Sequence, residues 1–264
     1  MLDETQNNAL NAAIESYQNT GATVLPDDFN ARIGDGDYVA IGTEFLRLLV
    51  EHSGLKPEAQ VLDIGCGLGR VAQPLKHFLA PGGRYTGLDV VAENVTWCQQ
   101  HLGNTAQGFD FIHLDVAHPL YNPAGKIAPE DTFLPFTDNH FDCVMMVSVF
   151  THLAVDMTAQ YMAEVRRVLH PGGRLFATFF LINPESRVAA DKDYRYPFDL
   201  RSSGPIYTPP DDHVYGAAAV EEDWLIKLAC EVNGFTLVKR CPGHWSQITK
   251  APERPYQDIL VFEK

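Results

Sequence analysis

The most informative stretch of this sequence is a decapeptide, Val61-Leu62-Asp63-Ile64-Gly65-Cys66-Gly67-Leu68-Gly69-Arg70. Its apolar first half predicts a buried strand, and the helical spacing of apolar residues that follows predicts a helix. The alternate glycines between them let the backbone turn sharply and let a ligand approach without a Cβ in the way. The dinucleotide fingerprint is GxGxxG, whereas the spacing here is GxGxG with Arg70 in the place of the last glycine. The loop therefore favours a nucleoside ligand without a diphosphate over a dinucleotide.

Short apolar runs alternate with helical patterns through the rest of the chain. This alternation predicts an α/β fold with a parallel sheet covered by helices on both faces, and ligands bind at the carboxyl edge of such a sheet. The predicted strands are Gln60–Gly65, Arg84–Val90, Phe109–Val116, Phe141–Val149, Arg174–Leu181, Thr236–Cys241 and Asp258–Glu263. The predicted helices are Ala9–Tyr17, Tyr38–His52, Arg70–Leu79, Ala92–Leu102, Ala154–Leu169 and Glu221–Val232.

Two stretches interrupt this rhythm. Ala117 to His140 is rich in Pro, Gly, Asn and Asp, and residues 183–219 combine five prolines with several tyrosines. Long irregular segments in a domain are usually functional or disordered, and the aromatic content favours a folded lid. We expect one domain over residues 1–264, with an N-terminal helical lid at about 1–55 and a substrate-binding insertion at about 183–219.

The composition excludes several classes of partner. The chain has 34 acidic against 20 basic residues, a net charge of -14 and no basic run, which disfavours nucleic acid and anionic membrane surfaces. No apolar run approaches the roughly 18 to 20 residues that span a bilayer. The five cysteines form no CxxC pair, which argues against a disulfide framework and against a metal site. With a polar, acidic N-terminus in place of a signal peptide, we expect a cytoplasmic protein.

Acidic residues stand at the carboxyl ends of the next two predicted strands. Asp89 closes the second strand about 20 positions after the loop, the spacing at which a carboxylate accepts both ribose hydroxyls. The third strand ends in Leu114-Asp115-Val116, and the fourth runs into Ser148-Val149-Phe150-Thr151-His152-Leu153. The D-x-G-x-G-x-G strand end and the later Leu169-His170-Pro171-Gly172-Gly173 turn together resemble the class I S-adenosylmethionine-dependent methyltransferase family. The resemblance covers roughly Tyr38 to Leu181 plus the C-terminal strands.

The resemblance implies a Rossmann-like, seven-stranded, mostly parallel sheet with an antiparallel last strand, and S-adenosylmethionine as the cofactor. Asp63 would orient the loop and hold the cofactor's ammonium, directly or through water, although family members often carry Glu there. Asp89 would take the ribose hydroxyls, and Asp115 the adenine amino group. The remaining cofactor-binding residues implied by the resemblance are Gly65, Cys66, Gly67 and Gly69 in the loop, Val90 and Val116 beside adenine, and Ser148 after the fourth strand.

His152 is the candidate general base, because it follows the fourth strand near the expected position of the sulfonium and has an ordinary pKa near 6.5. The alternative, a histidine that caps or packs the next helix, remains equally open. The candidate substrate-binding residues are Tyr38, His213, Tyr215, His244 and Trp245. For the last two, a buried Trp245 with an exposed His244 is the alternative.

The preferred function is methylation of a small molecule, with O-methylation of a hydroxylated metabolite ahead of the alternatives. N- or carboxyl-methylation, which needs little or no base, is the second interpretation. A nucleic-acid methyltransferase is disfavoured because the fourth strand is followed by neither an N/D-P-P-Y/F tetrad nor a Pro-Cys pair. A non-catalytic methyltransferase-like binding protein and a nicotinamide-dependent oxidoreductase are the remaining alternatives. The oligomeric state stays open, and a homodimer is among the options.

Overall fold

The computed structural model describes residues 4–34, 36–189, 197–246 and 255–264. Its α-helices are α1 (Glu4–Thr20), α2 (Phe29–Ile33), α3 (Tyr38–Ser53), α4 (Ala72–Phe78), α5 (Ala92–His101), α6 (Val155–Val168), α7 (Pro184–Ala189) and α8 (Glu222–Ile226). Its strands are β1 (Gln60–Ile64), β2 (Arg84–Asp89), β3 (Phe109–His113), β4 (Phe141–Met146), β5 (Leu169–Phe179), β6 (Leu181–Ile182), β7 (Ile206–Tyr207), β8 (Ala219–Glu221), β9 (Thr236–Cys241) and β10 (Asp258–Glu263).

The chain divides into two compact units, the first formed by Met1–Asp115 with Phe141–Met145 and the second by Val116–His140 with Met146–Lys264. Strand order over the larger sheet is β3-β2-β1-β4-β5-β10-β9. In this sheet β10 pairs antiparallel with both β5 and β9. The predicted α/β fold, with seven strands and an antiparallel last strand, is confirmed.

In the first unit, β1 is the central strand and pairs in parallel with β2 and β4. Val61 and Leu62 are fully buried because side chains on both faces of this strand are covered, as a continuous apolar run requires. Val61 lies opposite Tyr85 of β2 and Cys143 of β4. This register places the glycine loop, which follows β1, beside the carboxyl end of β2.

Helix α3 begins and ends on clear capping residues. The Asp37 carboxylate accepts a hydrogen bond from the Ala40 N–H at 2.8 Å, and Gly54 ends the helix in the left-handed conformation at φ 63°. Gly42 permits close packing, since a Cβ there would lie 2.5 Å from the Arg70 carbonyl oxygen. Helix α3 therefore packs directly against the end of the glycine loop.

In the second unit, the predicted insertion supplies strands to a separate three-stranded sheet of order β6-β8-β7. Residues 190–196, which include Tyr194 and Tyr196 of that insertion, lie outside the described residues. Around the small sheet, an aromatic cluster contains Phe180, Phe198 and Trp245. Among the described helices, none has the length and hydropathy that crossing a membrane requires.

Strand boundaries differ from the predicted ones for local reasons. β4 ends at Met146, three residues early, and Ser148 beyond it has a left-handed backbone at φ 58°. β5 begins at Leu169, five residues before the predicted start, because Gly172 and Gly173 exchange backbone hydrogen bonds with Lys264, each 3.0 Å long. The predicted helix Glu221–Val232 is α8 followed by a π-helical turn, Lys227–Val232.

Candidate active site

The glycine loop has a backbone that side chains would disturb. Gly67 and Gly69 have φ of 53° and 70°, in the left-handed region that favours glycine. A Cβ on Gly69 would also lie 2.3 Å from the Leu102 Cδ1. The start of the loop is fixed to β2, because the N–H groups of Gly65 and Cys66 both donate to the Leu88 carbonyl at 2.7 and 2.9 Å. These contacts hold a tightly curved backbone at the carboxyl end of β1.

Asp89 joins the loop to the end of β2. One carboxylate oxygen accepts from the Gly67 N–H at 2.7 Å, and the other accepts from the Val91 N–H at 2.8 Å. Burial raises the pKa of Asp89, and these N–H groups oppose that rise. A carboxylate has about four acceptor sites. Each oxygen of Asp89 therefore keeps acceptor capacity for the paired hydroxyls of a ribose.

Asp63 is buried within β1, 3% exposed, and its Oδ2 accepts from the Tyr85 hydroxyl at 2.7 Å. Burial raises the pKa of Asp63 to about 7; the Tyr85 hydrogen bond lowers it and the charge of Asp89 raises it. Asp63 is therefore poised between its neutral and charged forms at physiological pH. Contact with the cofactor's ammonium remains a prediction for this residue.

The other residues predicted around the cofactor differ in exposure. Gly65 is exposed, Val90, Asp115 and Ser148 are half-buried, and Val116 is buried. The thiol of Cys66 is buried, and its pKa is raised by a hydrogen bond with Cys98 and by burial. Cys66 thus contributes a backbone N–H to the loop anchor and a side chain to the interior.

Tyr38 supports the glycine loop from α3. Its hydroxyl donates to the Leu68 carbonyl at 2.7 Å and accepts from the Gln73 amide at 3.1 Å, and burial raises its pKa. Arg70 makes a second connection, donating to the carbonyls of Ile33 and Gly34 at 3.0 and 2.9 Å. The N-terminal helices are thus hydrogen-bonded to the loop, and a contact of Tyr38 with substrate remains a prediction.

His152 lies at the end of a 3₁₀ turn, Phe150–His152, in the second unit. Its Nδ1 is 3.0 Å from the Tyr215 carbonyl oxygen. Because a carbonyl only accepts, Nδ1 carries the hydrogen, and the Nε2 of the neutral ring keeps its lone pair. Burial lowers the pKa of His152, the Tyr215 carbonyl and Asp212 raise it, and His118 lowers it. The ring is therefore neutral at pH 7 and is a competent proton acceptor.

His118 and Tyr121 complete the surroundings of His152, and sequence reasoning missed both. The His118 Nδ1 accepts from the N–H groups of Leu120 and Tyr121 at 3.1 and 3.2 Å, so its Nε2 donates to the His152 carbonyl at 2.8 Å. The Tyr121 hydroxyl is 3.4 Å from both ring nitrogens of His152, with the two rings edge to face. The only sequence signal for this pair was the position of His118 within a Pro- and Asn-rich stretch.

Asp212 shapes the loop that supplies the Tyr215 carbonyl. Its carboxylate accepts from the N–H groups of Val214, Gly216 and Ala217 at 3.0 to 3.1 Å. Tyr215 has a left-handed backbone at φ 55°. The structure thus brings together His152 and the backbone of Tyr215, whereas His213 in the same loop is exposed.

Ser148 is held in its strained conformation by two polar side chains. Its N–H donates to the Thr178 hydroxyl at 2.7 Å, and its own hydroxyl donates to the Gln257 amide oxygen at 2.9 Å. The Thr178 hydroxyl donates to the same oxygen at 2.6 Å. Left-handed backbone outside glycine concentrates at functional sites, where surrounding contacts maintain it.

Trp245 lies in the core, 5% exposed, with its Nε1 donating to the Asp258 carboxylate at 2.5 Å. Its ring packs against Phe180 and Phe198 with centroids 5.2 and 5.9 Å apart. His244 is half-buried, and its ring lies edge to face with Tyr256. The structure thus gives Trp245 a packing role, and substrate contact by either residue remains a prediction.

Residues 62–177 match the family model described as a methyltransferase domain. Phthiotriol/phenolphthiotriol dimycocerosates methyltransferase 1 of Mycobacterium ulcerans is 32% identical over 143 residues, 53% of this chain and 42% of that protein. Ubiquinone/menaquinone biosynthesis C-methyltransferase UbiE of Hahella chejuensis is 28% identical over 148 residues, 54% of this chain and 53% of that protein. The matches thus span about half or less of these relatives.

The fold itself recurs in solved structures. Burkholderia thailandensis 1,6-didemethyltoxoflavin-N1-methyltransferase, solved with that molecule and S-adenosylhomocysteine, superposes with a TM-score of 0.52. The alignment covers 100% of this chain and 91% of that one at 17% identity, so it supports the fold alone. The family match covers the glycine loop and the strand that ends at Asp89, and the strand order agrees with it. Residues 62–177 therefore form a methyltransferase domain, and the sheet that contains them has the fold of the class I, S-adenosylmethionine-dependent methyltransferases.

Proposed function

We propose that this protein transfers a methyl group from S-adenosylmethionine to a small-molecule hydroxyl, with His152 as the general base. The observation that carries the proposal is the hydrogen bond from His152 Nδ1 to the Tyr215 carbonyl, 3.0 Å long. This bond fixes the tautomer and leaves Nε2 to accept a proton. The scattered cysteines are all free thiols, in keeping with the cytoplasmic location that we propose.

The residues of the first unit fit the cofactor. We assign the ribose hydroxyls to the remaining acceptor sites of Asp89, and the amino acid part to the backbone of Gly65, Gly67 and Gly69. Asp63, charged or neutral near its pKa of about 7, is the proposed partner of the ammonium group. Asp115 and Val90 complete the cofactor contacts that we propose in the first unit, and cofactor contact by Val116 and Ser148 remains a prediction.

The cofactor, when bound, supplies a methyl group on a sulfonium that leaves as a neutral thioether. The carbon–sulfur bond would break as the acceptor oxygen formed its bond to the methyl carbon, so the task of the chain's own residues would be to position that oxygen and take its proton. His152 Nε2 takes the hydroxyl proton, and the imidazolium that forms is stabilised by the Tyr215 carbonyl and by Asp212. A positioned base of this kind contributes roughly a hundredfold to ten-thousandfold.

Methylation of carbon is the second candidate, since the Hahella chejuensis relative is named a C-methyltransferase. A carbon acceptor also loses a proton, so His152 would serve both reactions. Nuclear magnetic resonance of the product distinguishes a methoxy group from a methyl group on carbon.

The test compares His152→Gln with wild type in transfer of labelled methyl groups to a panel of phenols and alcohols. We expect a fall in kcat/KM of at least a hundredfold, with unchanged binding of S-adenosylhomocysteine. His101→Gln, at an exposed histidine of α5, is the control. In wild type, kcat/KM should rise with pH with a midpoint below pH 6.5, because burial lowers the pKa of His152. Full activity of His152→Gln would contradict the assignment of His152 as the general base and would favour N-methylation.

A further inference from the structure

Several exposed apolar residues lie on the segments next to His152. In the described part of the chain, nine large apolar residues are exposed, and four of them lie on the segments that contact His152. We define these four, Leu120, Tyr121, Val155 and Val214, as the His152 rim; they are 36% to 45% exposed. Single exposed apolar residues are ordinary, whereas a group beside a catalytic histidine indicates a binding surface.

Hydrogen bonds tie the rim segments together within the second unit. His118, which binds the Leu120 and Tyr121 N–H groups, donates to the His152 carbonyl at 2.8 Å. The loop that carries Val214 contributes the Tyr215 carbonyl to His152, and its Ala218 N–H donates to the Thr151 carbonyl at 2.6 Å. Val155 begins α6 three residues after His152. The segments that carry the rim residues are therefore fixed to the turn that carries His152.

The composition of these segments disfavours anionic ligands. Residues 117–125, 149–155 and 213–218 contain no Lys, Arg, Asp or Glu. Asp212, which contacts these segments, already accepts three backbone N–H groups. A phosphate or carboxylate ligand is normally paired with Arg or Lys. The segments therefore suit a neutral ligand.

His152 and Tyr121 supply two adjacent polar groups in this apolar setting. The Tyr121 hydroxyl lies 3.4 Å from His152 Nε2, and a ligand hydroxyl that donates to Nε2 and accepts from Tyr121 would replace this long contact. A phenol, with a pKa near 10 as in tyrosine, gives up its proton to a neutral imidazole far more readily than an aliphatic alcohol. From the rim, its neutrality and this polar pair, we propose that the acceptor is a neutral phenol on an apolar ring system. The inference rests on the proposed function, whose base it shares.

The test uses 2-naphthol as the probe, added to the full chain with S-adenosylhomocysteine present, with binding followed by equilibrium dialysis. Val214→Asp places a charge in the rim, and we expect it to raise the Kd at least tenfold. Val238→Asp is the matched control, since Val238 has almost the same exposure, 39% against 40%, and lies in β9 outside the rim. Leu120→Gln serves as a second rim variant if Val214→Asp melts below wild type.

The outcomes separate this inference from the proposed reaction. His152→Gln should bind 2-naphthol within about threefold of wild type and fail to methylate it. If wild type binds 2-naphthol more tightly than the rim variants but does not methylate it, the phenol site stands and O-methylation is rejected. Equal Kd values for wild type and both rim variants, no binding, or tighter binding of 2-naphthyl phosphate would overturn the phenol site.

Discussion

The Asp89 carboxylate accepts a hydrogen bond from the Gly67 N–H at 2.7 Å, across 22 positions of sequence. The residue that we propose to bind the ribose therefore also shapes the loop proposed to hold the amino acid part. Its second oxygen accepts from Val91, so both oxygens are oriented by backbone groups. Loop geometry and cofactor affinity should change together when this contact is altered.

Gly69→Ala should damage both stability and cofactor binding. The left-handed backbone costs a residue with a Cβ about 1–2 kcal/mol, and the contact with Leu102 adds about 1–3 kcal/mol of overpacking. We expect a fall of about 2–5 kcal/mol in the free energy of unfolding, and at least tenfold weaker binding of S-adenosylhomocysteine. Urea denaturation and calorimetric titration measure the two effects.

Gly172→Ala is the matched control, with φ 82° and nothing within 4 Å of the added Cβ. It should lower stability by only about 1–2 kcal/mol and leave cofactor binding unchanged. Equal losses of affinity in the two variants would show that the loop position is not special.

Asp63 should make the stability of the ligand-free protein depend on pH. Its folded-state pKa of about 7 lies above the ordinary value of 3.8, so the folded state holds the proton more tightly than the unfolded state. The stabilisation is present at low pH and is lost as pH rises from about 4 to 7. Relative to Asp63→Asn, the unfolding free energy of wild type should fall by roughly 2–3 kcal/mol between pH 5 and pH 8.

Tyr85→Phe provides a directional check on the same measurement. The Tyr85 hydrogen bond lowers the pKa of Asp63, so its removal should move the stability loss to higher pH. Parallel pH profiles for wild type and Asp63→Asn would contradict the buried, titrating carboxyl.

Asp212→Asn should weaken catalysis by way of the loop and the charge. The amide nitrogen cannot accept from the Ala217 N–H, so the Tyr215 carbonyl is held less firmly. We expect kcat to fall about tenfold with little change in KM. Because the negative charge of Asp212 raises the pKa of His152, the acid limb of the kcat/KM profile should also move to lower pH.

Asp211→Asn, at the exposed neighbouring carboxylate, should leave both the rate and the profile unchanged. If kcat falls in Asp212→Asn but the pH dependence of kcat/KM does not shift, Asp212 has only a structural role.

The sheet was predictable because its buried strands are continuous apolar runs that end at recognisable residues. Asp63, the glycines and Asp89 all stand at such strand ends, where the chain order alone predicts the ligand edge. The small sheet was not predictable, since β6, β7 and β8 contain two or three residues each and have no periodic pattern.

Contacts between distant segments account for the rest of what sequence reasoning missed. The hydrogen bond between His152 and the Tyr215 carbonyl joins residues 63 positions apart, and the one between His118 and His152 joins residues 34 positions apart. For Tyr38, helix periodicity predicted α3 but not that its hydroxyl would meet the Leu68 carbonyl. Sequence reasoning likewise predicted ribose binding by Asp89 but not its hydrogen bond to the Gly67 N–H. That bond depends on a loop conformation set by several left-handed glycines, and such a conformation has no sequence pattern of its own.

The most direct test of the central claim is calorimetric titration of S-adenosylhomocysteine into wild type and Asp89→Asn. The amide cannot replace the second acceptor oxygen, so we expect micromolar binding by wild type and a loss of roughly tenfold to a hundredfold, about 1.4 to 2.7 kcal/mol, in the variant. Glu93→Gln, at an exposed acid on α5, is the control and should bind as wild type does. No heat of binding from cooperatively folded wild type would contradict a methyltransferase that uses this loop and carboxylate.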